Sequence, residues 1–109
     1  MNKSNKTISI ISPVYNNEST LVDLVKRVFK VAEKIYLSCE YIFVVDGSPD
    51  KSYEVLLSMA NQDNRIKIIN FSRNFGQHNA IMAGLDHCKN DHIFIIDADL
   101  EEAPEYLSH

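Results

Sequence analysis

Residues 93–101 read Ile93-Phe94-Ile95-Ile96-Asp97-Ala98-Asp99-Leu100-Glu101, an apolar run that ends in three carboxylates spaced two residues apart. The run predicts a buried strand. Because side chains alternate in extended backbone, Asp97, Asp99 and Glu101 should project toward one side of the chain. Carboxylates that converge at a sheet edge form a hard oxygen site that suits Mg²⁺ or Mn²⁺ and, through the metal, a diphosphate. The alternative is an acidic loop whose charges face water.

Short apolar runs alternate with helical patterns along the rest of the chain. The runs predict strands over residues 7–12, 41–45, 65–71 and 92–96. Apolar residues at helical spacing predict a helix over 21–36, with Ser19 or a neighbouring Asn as its cap, and a second helix over 53–60. A third helix is predicted to face the core with four residues: Ile81, Gly84, Leu85 and Cys88. The order β-α-β-α-β-α-β predicts an α/β fold, with a parallel sheet covered by helices on both faces.

The loops that follow the predicted strands carry most of the unusual polar chemistry. In a parallel α/β sheet these loops share one edge, and ligands bind there, near the point where the strand order reverses. The four loops cover residues 13–18, 46–48, 72–74 and 97–99. Neither a Gly-x-Gly-x-x-Gly after the first strand nor a P-loop is present. Binding of a diphosphate would therefore depend on a metal and on side chains, with Arg73 as the cation in the third loop.

Composition excludes several classes of protein. The formal net charge of −4 gives no basic field for nucleic acid or anionic lipid. No apolar run approaches the roughly 20 residues that span a bilayer, and residues 1–7 lack the apolar core of a signal peptide, so the expected compartment is the cytoplasm. Cys39 and Cys88 have neither disulfide-framework nor metal spacing, and each is expected to be a buried or half-buried thiol.

Four ordered motifs carry a resemblance to a known family. They are Pro-Val-Tyr-Asn-Asn-Glu at 13–18, Val-Asp-Gly-Ser-Pro-Asp at 45–50, Ser-Arg-Asn-Phe-Gly-Gln at 72–77 and Asp-Ala-Asp-Leu-Glu at 97–101. Together they resemble the N-terminal half of the family 2 glycosyltransferases, inverting enzymes with the Rossmann-like GT-A fold. The third motif is similar to the branch that uses polyprenyl phosphate as acceptor, which includes dolichyl-phosphate mannose synthase and the bacterial undecaprenyl-phosphate sugar transferases.

The resemblance implies roles for particular residues. The base and ribose of a nucleotide sugar would be surrounded by four of them: Pro13, Tyr15, Glu18 and Asp46. Asp97 and Asp99 would hold the metal-bound diphosphate, and Glu101 stands where relatives often have a Gln near the metal. One departure concerns Val45, because relatives commonly have a second Asp before the Asp-Gly-Ser sequence.

The resemblance also implies what the chain does as a whole. Residues 1–109 would form a single nucleotide-sugar-binding part of a GT-A domain that moves a sugar to polyprenyl phosphate with inversion. The general base is expected downstream of His109, together with the acceptor half and membrane-associated segments, so these residues should bind nucleotide without transfer. An uncovered strand edge should favour self-association. Two alternatives remain: a nucleotide-binding module without turnover, and an aspartate-nucleophile phosphatase, which also places Asp-x-Asp at a strand end.

Overall fold

The computed structural model describes residues 4–90 and 92–98. Within them, four strands alternate with three helices, so the predicted order of elements is confirmed. The elements are β1 (Ser4–Val14), α1 (Leu21–Ile35), β2 (Tyr36–Asp46), α2 (Ser52–Gln62), β3 (Ile66–Phe71), α3 (Gln77–Asp86) and β4 (His92–Ile95).

The described strands form one parallel sheet in the order β3-β2-β1-β4. The chain steps outward from β1 to β2 and β3, and then crosses back so that β4 lies on the other side of β1. The strand order therefore reverses between β1 and β4. Because all four strands are parallel, the loops that follow them meet at one edge, which is the edge where α/β proteins bind ligands.

The core lies on both faces of the sheet. Strand residues pack on one face against α1 and α2, in a cluster that includes Val28 and Leu56. The other face packs against α3, in a smaller cluster that includes Ala80. Gly84 brings α3 close to the sheet, because a Cβ at this position would lie 2.6 Å from the Ile11 side chain. Helices on both faces explain why the central strands are almost continuously apolar.

Strand β2 is longer than the predicted 41–45, since it begins at Tyr36, directly after α1. The predicted helix over 21–36 is one residue too long for the same reason. The early part of β2 lacks a continuous apolar run because Glu40 is on the strand. Its side chain is only 9% exposed, and its carboxylate accepts hydrogen bonds from Ser9 Oγ at 2.6 Å and from Lys89 N at 3.0 Å. A buried polar residue that has such partners interrupts the apolar run from which a strand is predicted.

The prediction of a buried strand is wrong for the described part of β4. Ile93 is 37% exposed and Ile95 is 45% exposed. Ile93 and Ile95 lie on the face of the sheet that α3 covers, and α3 packs mainly over β1 and β2, so it leaves these side chains of β4, the outer described strand, in contact with solvent. An apolar sequence does not reveal whether a strand is central or at an edge.

The helices differ from expectation in two details. In α3 the buried residues are Ala80 and Gly84, whereas Ile81 and Leu85 are only half-buried, and Cys88, also half-buried, lies two residues beyond the end of the helix. The cap predicted for α1 at Ser19 or a neighbouring Asn is also wrong, because Thr20 occupies the N-cap position and makes no side-chain cap hydrogen bond. Among the helices described, none is both long enough and apolar enough to cross a membrane.

The two cysteines are free thiols, as the sequence predicts. Cys39 is buried and Cys88 is half-buried. Burial raises the pKa of both thiols. Both are therefore in the neutral form near pH 7, which suits a packing role.

Candidate functional site

A pocket opens at the carboxyl edge of the sheet, where the strand order reverses. Its volume is about 180 Å³, and it lies between the ends of β1 and β2, the start of α3 and the segment after β4. Eight residues line it: Pro13, Val14, Tyr15, Asn17, Asp46, Gln77, Asp97 and Ala98. Complete small-molecule sites usually measure about 300–1,000 Å³, so this pocket has room for one part of a larger ligand.

The Asp46 carboxylate, at the end of β2, holds the start of α3 in place. It is 3% exposed and accepts two backbone hydrogen bonds, from Phe75 N at 2.8 Å and from Gly76 N at 3.1 Å. Val45 is 1% exposed in the hydrophobic core, where the resemblance leads us to expect a second carboxylate. The Asp46 carboxylate thus shapes the wall of the pocket.

Gly47 lets the same wall close tightly. Its φ is +64°, and a Cβ there would lie 2.2 Å from the Arg73 carbonyl carbon and from the Asn74 nitrogen. Only glycine meets both requirements without strain or a clash with backbone. The turn after β2 and the loop after β3 therefore pack backbone to backbone.

Asp50 fastens the loop after β1 to the loop after β2. Its carboxylate accepts hydrogen bonds from Glu18 N at 3.1 Å and from Ser52 N at 3.0 Å, and a further one from Ser48 Oγ. Burial by itself raises the pKa of Asp50, but hydrogen bonds from Ser48, Ser52 and the Glu18 backbone outweigh it and lower the pKa to about 2. Asp50 is therefore ionised throughout the physiological range.

Tyr15 stands at the rim of the pocket with its ring 47% exposed. The backbone around it is fixed, because Tyr15 N donates to Asn17 Oδ1 at 2.8 Å and Asn16 N donates to Ser48 Oγ at 2.9 Å. Asn16 has a φ of +59°, which Asn tolerates better than most residues. A half-exposed ring on a fixed backbone can stack on a flat ligand group.

Asp97 follows β4 and contributes a half-buried carboxylate to the pocket. Among the described residues this carboxylate has no hydrogen-bond or ion-pair partner, and hard divalent cations take carboxylate oxygens as ligands, so it fits a metal. Residues 4–90 and 92–98 bring no three potential metal ligands together. Asp99 and Glu101, the other two predicted ligands, lie outside the described residues.

Two predicted binding residues lie outside the pocket lining. Glu18 is exposed, and its side chain accepts a 3.4 Å hydrogen bond from Lys51 N. Arg73 is exposed too, with its guanidinium 4.8 Å from the centre of the Phe75 ring. Both belong to loops at the correct edge of the sheet, and their roles stay predictions.

Several residues of the site have no strong signal in the sequence. Asn17 and Gln77 line the pocket; both lie within the motifs at 13–18 and 72–77, but neither was predicted as a site residue. Ser12 and Thr20 hold the backbone on either side of Asp97 through their hydroxyl groups. A serine within a strand and a threonine before a helix have ordinary explanations, and the pattern alone does not distinguish them.

A second cavity, of about 290 Å³, lies at the opposite edge of the sheet. It is larger and is lined by three basic residues, but Arg65 is paired with Asp63 at 2.6 Å and with Glu33 at 3.0 Å. The amino-terminal edge of a parallel sheet is not where α/β proteins bind substrates. Position in the fold therefore favours the smaller pocket over the larger one.

A parallel sheet with helices on both faces and a polar pocket at the reversal of strand order defines an open α/β protein with a ligand site at the carboxyl edge of its sheet. The chain belongs to glycosyl transferase family 2, whose family model matches residues 9–109. The family predicted from the four motifs is thus confirmed.

The chain is similar to longer curated proteins. It is 43% identical over 99 residues to the uncharacterized glycosyltransferase YkcC of Bacillus subtilis (strain 168), covering 91% of this chain and 31% of that protein. It is also 43% identical over 103 residues to an undecaprenyl-phosphate 4-deoxy-4-formamido-L-arabinose transferase of Photorhabdus laumondii, covering 94% of this chain and 32% of that one. The chain thus spans about a third of the length of these relatives.

Solved structures share the fold. A mannosyltransferase from Pyrobaculum calidifontis in complex with GDP-Man and Mn²⁺ superposes with a TM-score of 0.76 at 18% identity, covering 88% of this chain and 28% of that one. S. aureus TarS 1-349 in complex with UDP-GlcNAc gives a TM-score of 0.71 at 20% identity, over 85% and 26% of the two chains. The predicted fold class, a GT-A parallel sheet flanked by helices, is confirmed.

Proposed function

We propose that residues 1–109 form the nucleotide-sugar-binding part of a family 2 glycosyltransferase. The observation that carries this proposal is the pocket at the reversal of strand order, where Tyr15, Asp46 and Asp97 come together. Solved structures that share the fold support it, since one is a complex with GDP-Man and Mn²⁺ and another is a complex with UDP-GlcNAc. The nucleoside would occupy the pocket, with the Tyr15 ring against the base, and the diphosphate would lie toward Asp97.

The reaction we propose for the whole enzyme is a single displacement. An acceptor oxygen forms a bond to the anomeric carbon while the bond from that carbon to the nucleoside diphosphate breaks, and the configuration inverts. Polyprenyl phosphate is the proposed acceptor, in line with the name of the Photorhabdus relative. A phosphate acceptor is ionised near neutral pH, so this scheme requires no nucleophilic side chain and only modest base assistance.

We propose Asp97, Asp99 and Glu101 as the group that would hold Mg²⁺ or Mn²⁺. When bound, the ion would supply Lewis-acid stabilisation of the charge that develops on the departing diphosphate. The nucleoside end of the site would be shaped by the 13–18 loop, which includes Glu18, and by Asp46 at the end of β2. Arg73 would supply positive charge near the phosphates.

Titration calorimetry tests the binding step. The protein is titrated with UDP, GDP and inorganic diphosphate, each with and without Mn²⁺, and we expect a nucleoside diphosphate to bind best with Mn²⁺. Tyr15→Ala should weaken nucleotide binding and leave binding of inorganic diphosphate unchanged, because the ring contacts the base. Met82→Ala is the matched control, since Met82 is 46% exposed against 47% for Tyr15 and lies outside the pocket lining. Equal effects of the two variants would contradict the proposed base pocket.

Two further proposals concern the 109 residues by themselves. We expect binding without transfer to polyprenyl phosphate, because the general base is proposed to lie outside these residues. Robust turnover would contradict this and direct attention to Glu101, Glu102 or Glu105 as the base. We also expect self-association, because the β4 edge exposes Ile93 and Ile95. Sedimentation at tens of micromolar protein checks it, and a clean monomer would contradict it.

An alternative with a different chemistry, the aspartate-nucleophile phosphatase, has no support once the family is known. A nucleotide-binding module without turnover remains the second candidate for these residues. An assay on the whole enzyme separates the two, because a transferase releases nucleoside diphosphate from a nucleotide sugar in the presence of polyprenyl phosphate and a module releases none.

A further inference from the structure

Two hydroxyl groups hold the backbone on either side of Asp97. Ser12 Oγ donates to the Ile96 carbonyl oxygen at 2.5 Å, and Thr20 Oγ1 donates to the Ala98 carbonyl oxygen at 2.6 Å. The two carbonyls are alternate along the chain, so the residue between them is Asp97, whose carboxylate lines the pocket. The segment is thus fastened from β1 on one side and from the start of α1 on the other.

The contact from β1 belongs to a buried network. Ser12 and Tyr41 are both fully buried, and their oxygens are 2.7 Å apart. Because the single hydroxyl hydrogen of Ser12 goes to Ile96 O, the Tyr41 hydroxyl must be the donor in this pair. Burial raises the pKa of Tyr41 and keeps that hydrogen in place. The direction of donation therefore runs from Tyr41 to Ser12 and on to the Ile96 carbonyl.

The second hydrogen bond comes from Thr20, whose position before α1 would ordinarily give its side chain a different partner. Thr20 occupies the N-cap position of α1, where a threonine oxygen usually accepts a hydrogen bond from a backbone N–H two or three residues ahead. Here it makes no such bond. Its hydroxyl instead approaches Ala98 O at 2.6 Å and Asn17 O at 3.1 Å. A forgone cap costs about 1 kcal/mol, and residues that break a local rule of this kind concentrate at functional sites.

The two hydroxyls act where the strand ladder ends. The backbone hydrogen bond from Ile96 N to Ile11 O, at 2.9 Å, continues the pairing of β1 with β4 by one residue beyond Ile95. The next two anchors of the described segment are the side-chain bonds to the carbonyls of Ile96 and Ala98. The direction of the Asp97 carboxylate therefore depends on Ser12 and Thr20 as well as on the sheet.

We propose that Ser12 and Thr20 are positioning residues that aim the Asp97 carboxylate at the metal-bound diphosphate of the nucleotide sugar. The inference rests on the proposed function, and adds to it two residues outside the pocket lining. Outer groups that orient a metal ligand change metal affinity by about 10- to 100-fold when they are removed, and this range sets the expected effect.

The test is Thr20→Val, with Thr20→Ser as the conservative variant. Calorimetry measures the affinity for UDP and for GDP, with Mn²⁺ and without it. Thr20→Val should lower the Mn²⁺-dependent affinity about tenfold and leave the Mn²⁺-free affinity within about twofold. Thr20→Ser keeps the hydroxyl and should restore the wild-type affinity.

Thr7→Val is the matched control for loss of a threonine hydroxyl. Thr7 Oγ1 donates to Asn90 Oδ1 at 2.7 Å, a bond of similar length and burial at the opposite edge of the sheet. Its removal should lower thermal stability as much as Thr20→Val does and leave nucleotide affinity unchanged. Melting temperatures of all three variants confirm that each is folded at the temperature of the titration.

The outcomes separate the inference from the function beneath it. If the wild-type protein shows no Mn²⁺-dependent binding of UDP or GDP, both the proposed function and the inference are refuted. If the wild type binds and Thr20→Val binds equally well, the function stands and the positioning role is refuted. Equal losses of affinity in Thr20→Val and Thr7→Val would assign the effect to general stability and also overturn the inference.

Discussion

Replacing Asp46 by Asn should destabilise the protein through the wall of the pocket. The Asp46 carboxylate is 3% exposed, and each of its oxygens accepts one backbone N–H, from Phe75 and from Gly76. Asn has nearly the same size, so packing is preserved. The amide offers one acceptor oxygen in place of two, and its NH₂ group faces an N–H that needs an acceptor.

The magnitude follows from these two bonds. A hydrogen bond to a charged group contributes about 1.5–3 kcal/mol, and the variant loses one such bond and the charge that strengthens the other. We therefore expect the free energy of unfolding to fall by about 2 kcal/mol. For a domain of this size that corresponds to a decrease in melting temperature of about 10 °C.

Urea unfolding followed by far-ultraviolet circular dichroism measures the loss. Asp86→Asn is the matched control, because Asp86 is exposed at the end of α3 and the same change there should stay within about 0.5 kcal/mol. A loss below about 0.5 kcal/mol in Asp46→Asn would refute the reasoning. Asp46→Ala should lower the affinity for nucleotides more than the affinity for inorganic diphosphate. Equal losses of affinity for the two ligands would show that Asp46 only stabilises the turn.

Three further predictions concern the metal, acid and the glycines. Asp99→Asn should abolish the Mn²⁺-dependent gain in melting temperature with nucleoside diphosphate and barely change the Mn²⁺-free signal; an undiminished gain would remove Asp99 as a ligand. The pKa of Asp50 is lowered from 3.8 to about 2, so its stabilising effect is complete above about pH 4 and is lost as the pH falls toward 2. Asp50→Asn should therefore flatten acid unfolding curves in that window, and an unchanged curve would contradict this. Gly47→Ala should cost more than Gly84→Ala in urea unfolding, because the new Cβ meets backbone at 2.2 Å in the first and a side chain at 2.6 Å in the second; the reverse order would contradict the close packing at Gly47.

The order of elements could be predicted because apolar runs and helical spacing are local signals. The position of β4 at the edge of the described sheet could not be predicted, because the sequence of a strand does not show which other strands it pairs with. The start of β2 could not be predicted for a different reason. Glu40 breaks the apolar run there, and only the three-dimensional contacts with Ser9 and Lys89 show how its charge is accommodated.

The site shows the same division between local and long-range information. Tyr15, Asp46 and Asp97 could be predicted as site residues, since they follow strands and fall within recognisable motifs, and they meet in one pocket. Ser12 and Thr20 could not. Their hydroxyls act on carbonyls 84 and 78 residues away in the sequence, and nothing in the local pattern indicates such partners.

The central claim is that a nucleoside diphosphate binds at the carboxyl edge of this sheet. The most direct test is an NMR titration of the ¹⁵N-labelled protein with UDP and with GDP in the presence of Mg²⁺, which reports every backbone amide separately. We predict that the largest shift changes fall on Tyr15, Asn17, Gln77 and Asp97 around the pocket. Changes confined to the opposite edge, at Lys67 and Lys89 of the second cavity, would contradict the account.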